Sequence, residues 1–222
     1  MCANFHPASP GQLALFPLPP PGFEYAEAFP GSVVPMVSNA RPRVWTPACF
    51  GLVPAWAQDE RISRSTYNAR SETLAEKPSF RAAWQRGQLC IIPVAEFHEP
   101  SYASGRAVRW GIRRQDGRPM GIAGLWSHHP DGPARGLPEW SVSMLTINAD
   151  AHLLLRQFHK PEDEKRSIVI LPDAAWGAWL RCRSEAGARA LLQPFPAELL
   201  EARPAPRVGR EASMAENAPQ LF

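Results

Sequence analysis

Seven short runs rich in valine, isoleucine, tryptophan and small apolar residues are strung along this chain, most of them bounded by proline, glycine or polar residues. They span Ser32 to Ser38, Val44 to Val53, Leu89 to Phe97, Val108 to Ile112, Met120 to Trp126, Trp140 to Ile147 and Ile168 to Leu171. Runs of this length bounded by turn residues predict β-strands. They do not alternate regularly with helical stretches, which disfavours a parallel, doubly wound sheet. The expected fold is α+β: a single domain with a mainly antiparallel, barrel-like β core and flanking helices. Gly117-Arg118-Pro119 separates two of the runs and predicts a hairpin connection.

Four stretches read as helical. Ser79 to Arg86 carries Phe80 and Trp84 four residues apart on one face. Ala151 to Phe158 follows Asn148 and Asp150, which predict caps. Asp173 to Arg181 follows Pro172, and Glu185 to Leu192 comes last. Prolines crowd Pro17 to Pro35 and predict extended loop. Periodicity fades after Arg203, so residues 1–202 are expected to form the domain and 203–222 a poorly ordered tail.

A length of 222 residues is consistent with one domain. A hydrophobic content of 45% excludes a wholly disordered chain. No apolar run approaches the ~18 residues of a membrane span, and the start lacks the basic-then-apolar pattern of a signal peptide. The expectation is a cytoplasmic protein with no membrane partner, monomeric by default. The net charge of +3 is too mild to dictate a nucleic-acid partner. Lys77, Lys160 and Lys165 are the only lysines, leaving 21 arginines. Arginine suits forked contacts to phosphate, although GC-rich codon usage gives the same bias. The cysteines (Cys2, Cys49, Cys90 and Cys182) form no C-x-x-C pair, and neither a metal site nor a cofactor is expected.

Four elements could carry chemistry. Removal of Met1 would give Cys2 a free α-amine beside its thiol; the amine can form a Schiff base with an aldehyde, and the thiolate can close a five-membered thiazolidine. The alternative is that Cys2 is simply a small residue after Met. Asn68-Ala69-Arg70 pairs amide donors with a forked cation suited to an oxygen-rich or phosphate-bearing ligand, or the Asn is only a cap. The apolar run from Leu89 ends in Glu96-Phe97-His98-Glu99, where period-two alternation sends Glu99 and Phe97 to one face and His98 to the other. A Glu beside apolar strand residues can have a raised pKa and shuttle protons, although a solvated strand end is the commoner case. His159, in a charged loop, is a candidate acid or base, or a helix-terminal His.

Taken in order, these elements resemble one family. Cys2, Gly51-Leu52-Val53-Pro54-x-Trp56, Asn68-Ala69-Arg70-x-Glu72-Thr73 and Phe80-x-x-x-Trp84 match it, as do Cys90-Ile91-Ile92-Pro93, Phe97-x-Glu99, Ala123-Gly124-Leu125-Trp126 and a late His. The chain from Cys2 to about Leu171 is similar to the SOS response-associated peptidase (SRAP) proteins, which crosslink to abasic sites in single-stranded DNA. The resemblance implies that Cys2, after loss of Met1, forms a thiazolidine with the abasic aldehyde through a Schiff base. It implies that Asn68 holds Cys2 and the sugar, that Glu99 moves protons, and that His159 acts on the sugar oxygen or Schiff base. Arg70 would contact phosphate, and Trp56 and Asn4 would lie near the DNA.

AP-lyase activity and self-removal of Met1 are further implied. The alternatives are a cysteine-dependent peptidase that uses the same Cys2, Asn68 and Glu99, or a non-catalytic single-stranded DNA-binding module whose Cys2 chemistry has lapsed through the changes at Asn4 and around His159. The chain departs from the family pattern where Ala3-Asn4 replaces the usual Gly-Arg and Pro100 replaces a Trp. His159 and Arg166 are also spread seven positions apart.

Overall fold

A computed structural model of the chain describes residues 2–13 and 26–206. Among the described residues one eleven-stranded sheet forms. Its strands are β1 (Phe5–Pro7), β2 (Val33–Ser38), β3 (Arg41–Phe50), β4 (Asn68–Arg70), β5 (Leu89–Ser101) and β6 (Val108–Arg114). They continue with β7 (Met120–His128), β8 (Trp140–Asn148), β9 (Arg166–Ile168), β10 (Ile170–Leu171) and β11 (Leu200–Pro204). The order is β10-β7-β8-β3-β2-β5-β6-β11, with β1 on β5 and both β4 and β9 on β8. Because β5 also pairs with β7, the path β7-β8-β3-β2-β5 closes into a ring. Only β3–β8 and β4–β8 are parallel pairs, so the mainly antiparallel α+β fold read from the sequence holds.

All seven expected runs contain strand, although Ile168 to Leu171 is divided at Val169 between β9 and β10, and one connection differs from expectation. Val94 pairs with Pro7 on one side and Met120 on the other, while Phe97 pairs with Phe5 and Ile112. Strands β6 and β7 therefore lie end to end along the same edge of the long β5. The Gly117-Arg118-Pro119 segment is a loop between these collinear strands rather than a hairpin, because β5 outlasts either partner.

Alternation along the strands divides the apolar residues between two clusters. Ile92 and Val94 of β5, Met120 and Ile122 of β7, and Val142 and Met144 of β8 face one cluster, which also holds Cys2, Phe5 and Phe97. Leu89 and Ile91, Ala123 and Leu125, and Leu145 face the other, beneath Phe80, Trp84 and Trp179. Burial of each such Ile, Leu or Phe stabilises the fold by roughly 1.5–3 kcal/mol. Both faces are buried, so these strands read as near-continuous apolar runs.

Two glycines explain pieces of the sequence pattern. Gly51 has φ +123, and a Cβ there would stand 2.1 Å from the Ser63 carbonyl oxygen, so only glycine allows the turn after β3 to pack against the 3-10 turn Glu60–Ser65. A Cβ on Gly124 would meet Ser143 O at 2.8 Å and Cys90 Sγ at 2.9 Å, where strands cross closely.

The helices are α1 (Pro10–Leu13), α2 (Pro78–Gln85), α3 (Trp176–Arg181) and α4 (Glu185–Ala190). In α2, Pro78 opens the first turn and Phe80, Ala83 and Trp84 form the buried face. The expected helix at Ala151 to Phe158 is instead a set of turns with a 3-10 turn at Leu155–Gln157. Buried His152 accounts for this: Nδ1 accepts from the Leu154 and Leu155 N–H groups while Nε2 bonds Phe195 O at 2.8 Å. A side chain that takes those backbone donors competes with the helical ladder. Strand β11 carries Arg203 and Pro204 onto β6, opposite Gly111 and Trp110. The proline-rich residues 17–25 and the tail from 207 lie outside the described residues.

Candidate active site

Strand β1 runs antiparallel to β5, with Phe5 opposite Phe97 and the His98 N–H donating to Asn4 O at 3.1 Å. This brings the start of the chain to the end of β5 that carries Glu99. Strand β4 lies parallel to β8, and from its first position Asn68 Nδ2 donates to Cys2 O at 2.7 Å. His159 arrives from the loop before β9. Its N–H donates to Pro100 O at 2.8 Å, and its backbone is left-handed at φ 65. His is among the residues that tolerate that region, and strain of this kind concentrates at functional sites. His159 Nε2 then lies 3.6 Å from Glu99 Oε2 and 3.3 Å from Arg166 O. Cys2, Asn68, Glu99 and His159, far apart in sequence, thus form one connected group: Asn68 on Cys2, Cys2 beside Glu99, and Glu99 beside His159.

Burial sets the charges. Cys2 is 1% exposed, and loss of solvation, followed by the nearby Glu99 charge, drives its thiol far above the ordinary range. Burial pushes the Glu99 carboxyl up to about 7. Burial also pulls the His159 imidazole down to about 4. Near neutrality the Glu99 carboxyl is therefore poised between its protonated and ionised forms beside a neutral imidazole. The Asn68 Oδ1 atom is buried without a hydrogen-bond partner among the described residues.

Arg166 supports this arrangement. It is buried, and its guanidinium forks onto Glu72 (Nη1–Oε1 3.1 Å, Nη2–Oε2 2.9 Å). It also bonds Glu164 at 2.7 Å and Thr146 O at 2.9 Å. The Glu of the Asn-Ala-Arg-x-Glu segment thus anchors the strand whose carbonyl meets His159. Sequence reading missed this role, although the Asn68-to-Glu72 spacing was the available signal. Tyr67 was also missed. It is half-buried, edge-on to Phe50 at 5.8 Å, and its hydroxyl is raised first by burial and then by the Cys2 and Glu99 charges.

The residues expected to meet DNA are arranged differently. Arg70 is exposed and paired with Glu164 at 3.1 Å. Trp56 is 58% exposed, and its Nε1 donates to Pro78 O at 3.4 Å at the start of α2. Neither contacts the Cys2 group through a hydrogen bond or ion pair given by the structure. Asn4 points its amide at Glu27, which also pairs with Arg109 at 2.5 Å. Among the described residues no group of three or more His, Cys, Asp or Glu could hold a metal ion. No helix among them is long and apolar enough to cross a membrane.

The model of the family described as SOS response associated peptidase (SRAP) matches residues 20–210. Abasic site processing protein YoqW of Bacillus subtilis is 31% identical over 156 residues, covering 69% of this chain and 65% of YoqW. Abasic site processing protein YobE of the same organism is 30% identical over 176 residues, covering 78% of this chain and 73% of YobE. The chain thus spans slightly less than two thirds of YoqW. A crystal structure of a Bordetella bronchiseptica protein superimposes with a TM-score of 0.81 at 34% identity, over 92% of this chain and 99% of that one. A Bacteroides thetaiotaomicron protein at 21% identity shares the fold, with a TM-score of 0.67 over 89% of this chain and 83% of the other.

Proposed function

The chain belongs to the SOS response associated peptidase (SRAP) family, and from that premise we propose that it processes abasic sites by crosslinking covalently to them in single-stranded DNA. The observation that supports this reading is the meeting of Cys2, Asn68, Glu99 and His159 in one largely buried group.

In this reading Met1 is removed and Cys2 presents an α-amine. The amine adds to the ring-opened abasic aldehyde, and loss of water from the carbinolamine leaves a Schiff base. The Cys2 sulfur then adds to the imine carbon while the nitrogen gains a proton, closing a thiazolidine. Glu99, poised near 7 between its two forms, supplies in its protonated form the proton that lets the carbinolamine hydroxyl leave as water. His159, neutral there, accepts protons from the sugar side. The thiol is held protonated by burial, so it reacts after its proton passes to a neighbouring base; Glu99, having given up its own proton, serves. Asn68 positions Cys2 through its carbonyl. Arg70, Trp56 and Asn4 lie toward the strand, with Arg70 exchanging Glu164 for a phosphate. Strand cleavage through the same Schiff base, and removal of Met1 by the site itself, are extensions of the same chemistry.

The test is a denaturing gel of the protein with single-stranded DNA bearing one abasic site. A slower-migrating product formed by the wild type and absent with Cys2→Ala is the expected result. No such product, or an equal yield from Cys2→Ala, overturns the reading. Intact mass tests self-processing: Met1 retained in Glu99→Ala and lost in the wild type supports it, whereas loss in both overturns it.

A further inference from the structure

Three arginines on the Cys2 side are already paired: Arg70 bonds Glu164, Arg109 bonds Glu27, and Arg166 bonds Glu72 and Glu164. A separate group of arginines without a carboxylate partner stands at the opposite end of β5. There the Asn39-Ala40 turn meets the end of α2: Asn39 Nδ2 donates to Gly87 O at 2.7 Å and Trp126 Nε1 donates to Asn39 Oδ1 at 2.9 Å. A cleft at this junction is lined by Asn39, Arg86, Trp126 and Arg183, and no acidic residue lines it.

Aromatic rings extend this surface. Trp126 lies 5.3 Å from Trp140, and exposed His128 stacks on Trp140 at 4.0 Å and 25°. The Arg41 guanidinium sits 5.7 Å over the same indole. Arg41, Arg43, Arg86 and Arg183 are all exposed, and none has a carboxylate partner among the described residues. The acidic residues nearby are already engaged. Glu139 bonds His128 and Trp140, and Glu185 bonds Arg189. Eleven residue steps of extended chain, from Gln88 to Glu99, separate this face from the Cys2 group, roughly 36 Å along the strand.

We propose that this basic, aromatic face is a second contact for single-stranded nucleic acid, with the arginines on the phosphodiester backbone and a base stacked at the exposed edge of His128 and Trp126. Free guanidinium groups beside ring faces are what a single strand uses irrespective of sequence. The face takes intact strand and is not a reaction site. A strand long enough to reach both places is held at two points, so the second engagement is intramolecular and affinity rises with length.

The reading rests on the single-stranded substrate proposed above, and the experiment separates the two. Fluorescence anisotropy is measured against salt with intact oligonucleotides of about 8 and about 40 nucleotides, and crosslinking is measured with a short abasic strand. The Arg41→Gln/Arg86→Gln/Arg183→Gln protein is expected to bind the long strand at least ~10-fold more weakly, with a log–log salt slope reduced by about 2. Its crosslinking of the short abasic strand is expected to match wild type, which also reports that it folds. The single variant Arg86→Gln is expected to reduce the slope by about 0.7. Cys2→Ala should lose the crosslink yet keep the preference for the long strand. A wild type that crosslinks but binds both lengths equally overturns this inference alone. An unchanged slope in the triple variant, or binding to phosphatidylglycerol vesicles without any length dependence on oligonucleotides, overturns it as well.

Discussion

His159 Nε2 stands 3.6 Å from Glu99 Oε2, and burial moves the two groups in opposite directions, the carboxyl up to about 7 and the imidazole down to about 4. The same loss of water keeps a proton available on the carboxyl into the neutral range and keeps the imidazole uncharged.

Stability should carry the signature of that pair. Between the ordinary carboxyl range and about 7, folded Glu99 holds a proton that the unfolded chain releases, so its contribution is complete at low pH and is lost as pH rises through 7. His159 works the other way: its neutral folded form is favoured above 6.5, and stability is lost as pH falls from there toward 4. Wild type and Glu99→Gln carry the same histidines, so the difference between their stabilities isolates Glu99. Urea denaturation from about pH 4.5 to 8 should show wild type losing stability relative to Glu99→Gln, most of it before pH 7. The full Glu99 effect is on the order of 3 kcal/mol. Equal slopes for the two proteins would sink the assignment.

The rate of crosslinking should follow the same group. The proton-bearing form of Glu99 disappears as pH rises through 7, so a falling limb is expected there in the single-turnover rate on abasic DNA. Glu99→Gln should be slower, and its profile should lack that limb. A limb that survives in Glu99→Gln belongs to another group.

Cys2→Ser distinguishes the two bonds of the proposed adduct. The amine remains, so a Schiff base that borohydride traps is expected. Without sulfur, a stable adduct in the absence of reductant is not. Asn68→Ala should slow the wild-type reaction while leaving the trapped species detectable. Because it also leaves the Cys2 carbonyl without its donor, it should cost about 1–3 kcal/mol of stability in a urea melt.

Arg166→Lys should destabilise the fold by about 2 kcal/mol despite keeping the charge. A single ammonium cannot reproduce a fork that holds Glu72, Glu164 and Thr146 O together. A thermal melt within error of wild type would show that the network contributes nothing.

Gly51→Ala tests the turn after β3. A β-carbon 2.1 Å from Ser63 O, at φ +123, forces the backbone to move, and a loss of at least ~3 kcal/mol is expected in a urea melt. A melt matching wild type would mean that the 3-10 turn yields freely.

How far the residues alone carried this reading depends on how local each cause is. The seven long runs were legible because a strand buried on both faces writes its environment into consecutive apolar residues. Strands β1, β4 and β11 were not, since three to five residues containing His6, Asn68, Arg70 or Pro204 become strand only when β5, β8 and β6 supply their ladders. The segment at Ala151 reads as helix until His152 reaches Phe195 and captures the backbone donors, a bond across 43 residues that no window contains.

Sequence by itself determined the chemistry on offer: a cysteine at position 2, an amide at 68, a carboxyl at 99 and an imidazole at 159, in an order matching the SRAP family. Tertiary structure alone decided that the four meet, because β1 on β5 and β4 on β8 are pairings between distant residues. It also decided their protonation, since desolvation depends on what surrounds a group rather than on which group it is. The same holds for the arginines. Composition counted 21, but only the fold showed which are spent on carboxylates beside Cys2 and which face solvent at the other end of β5.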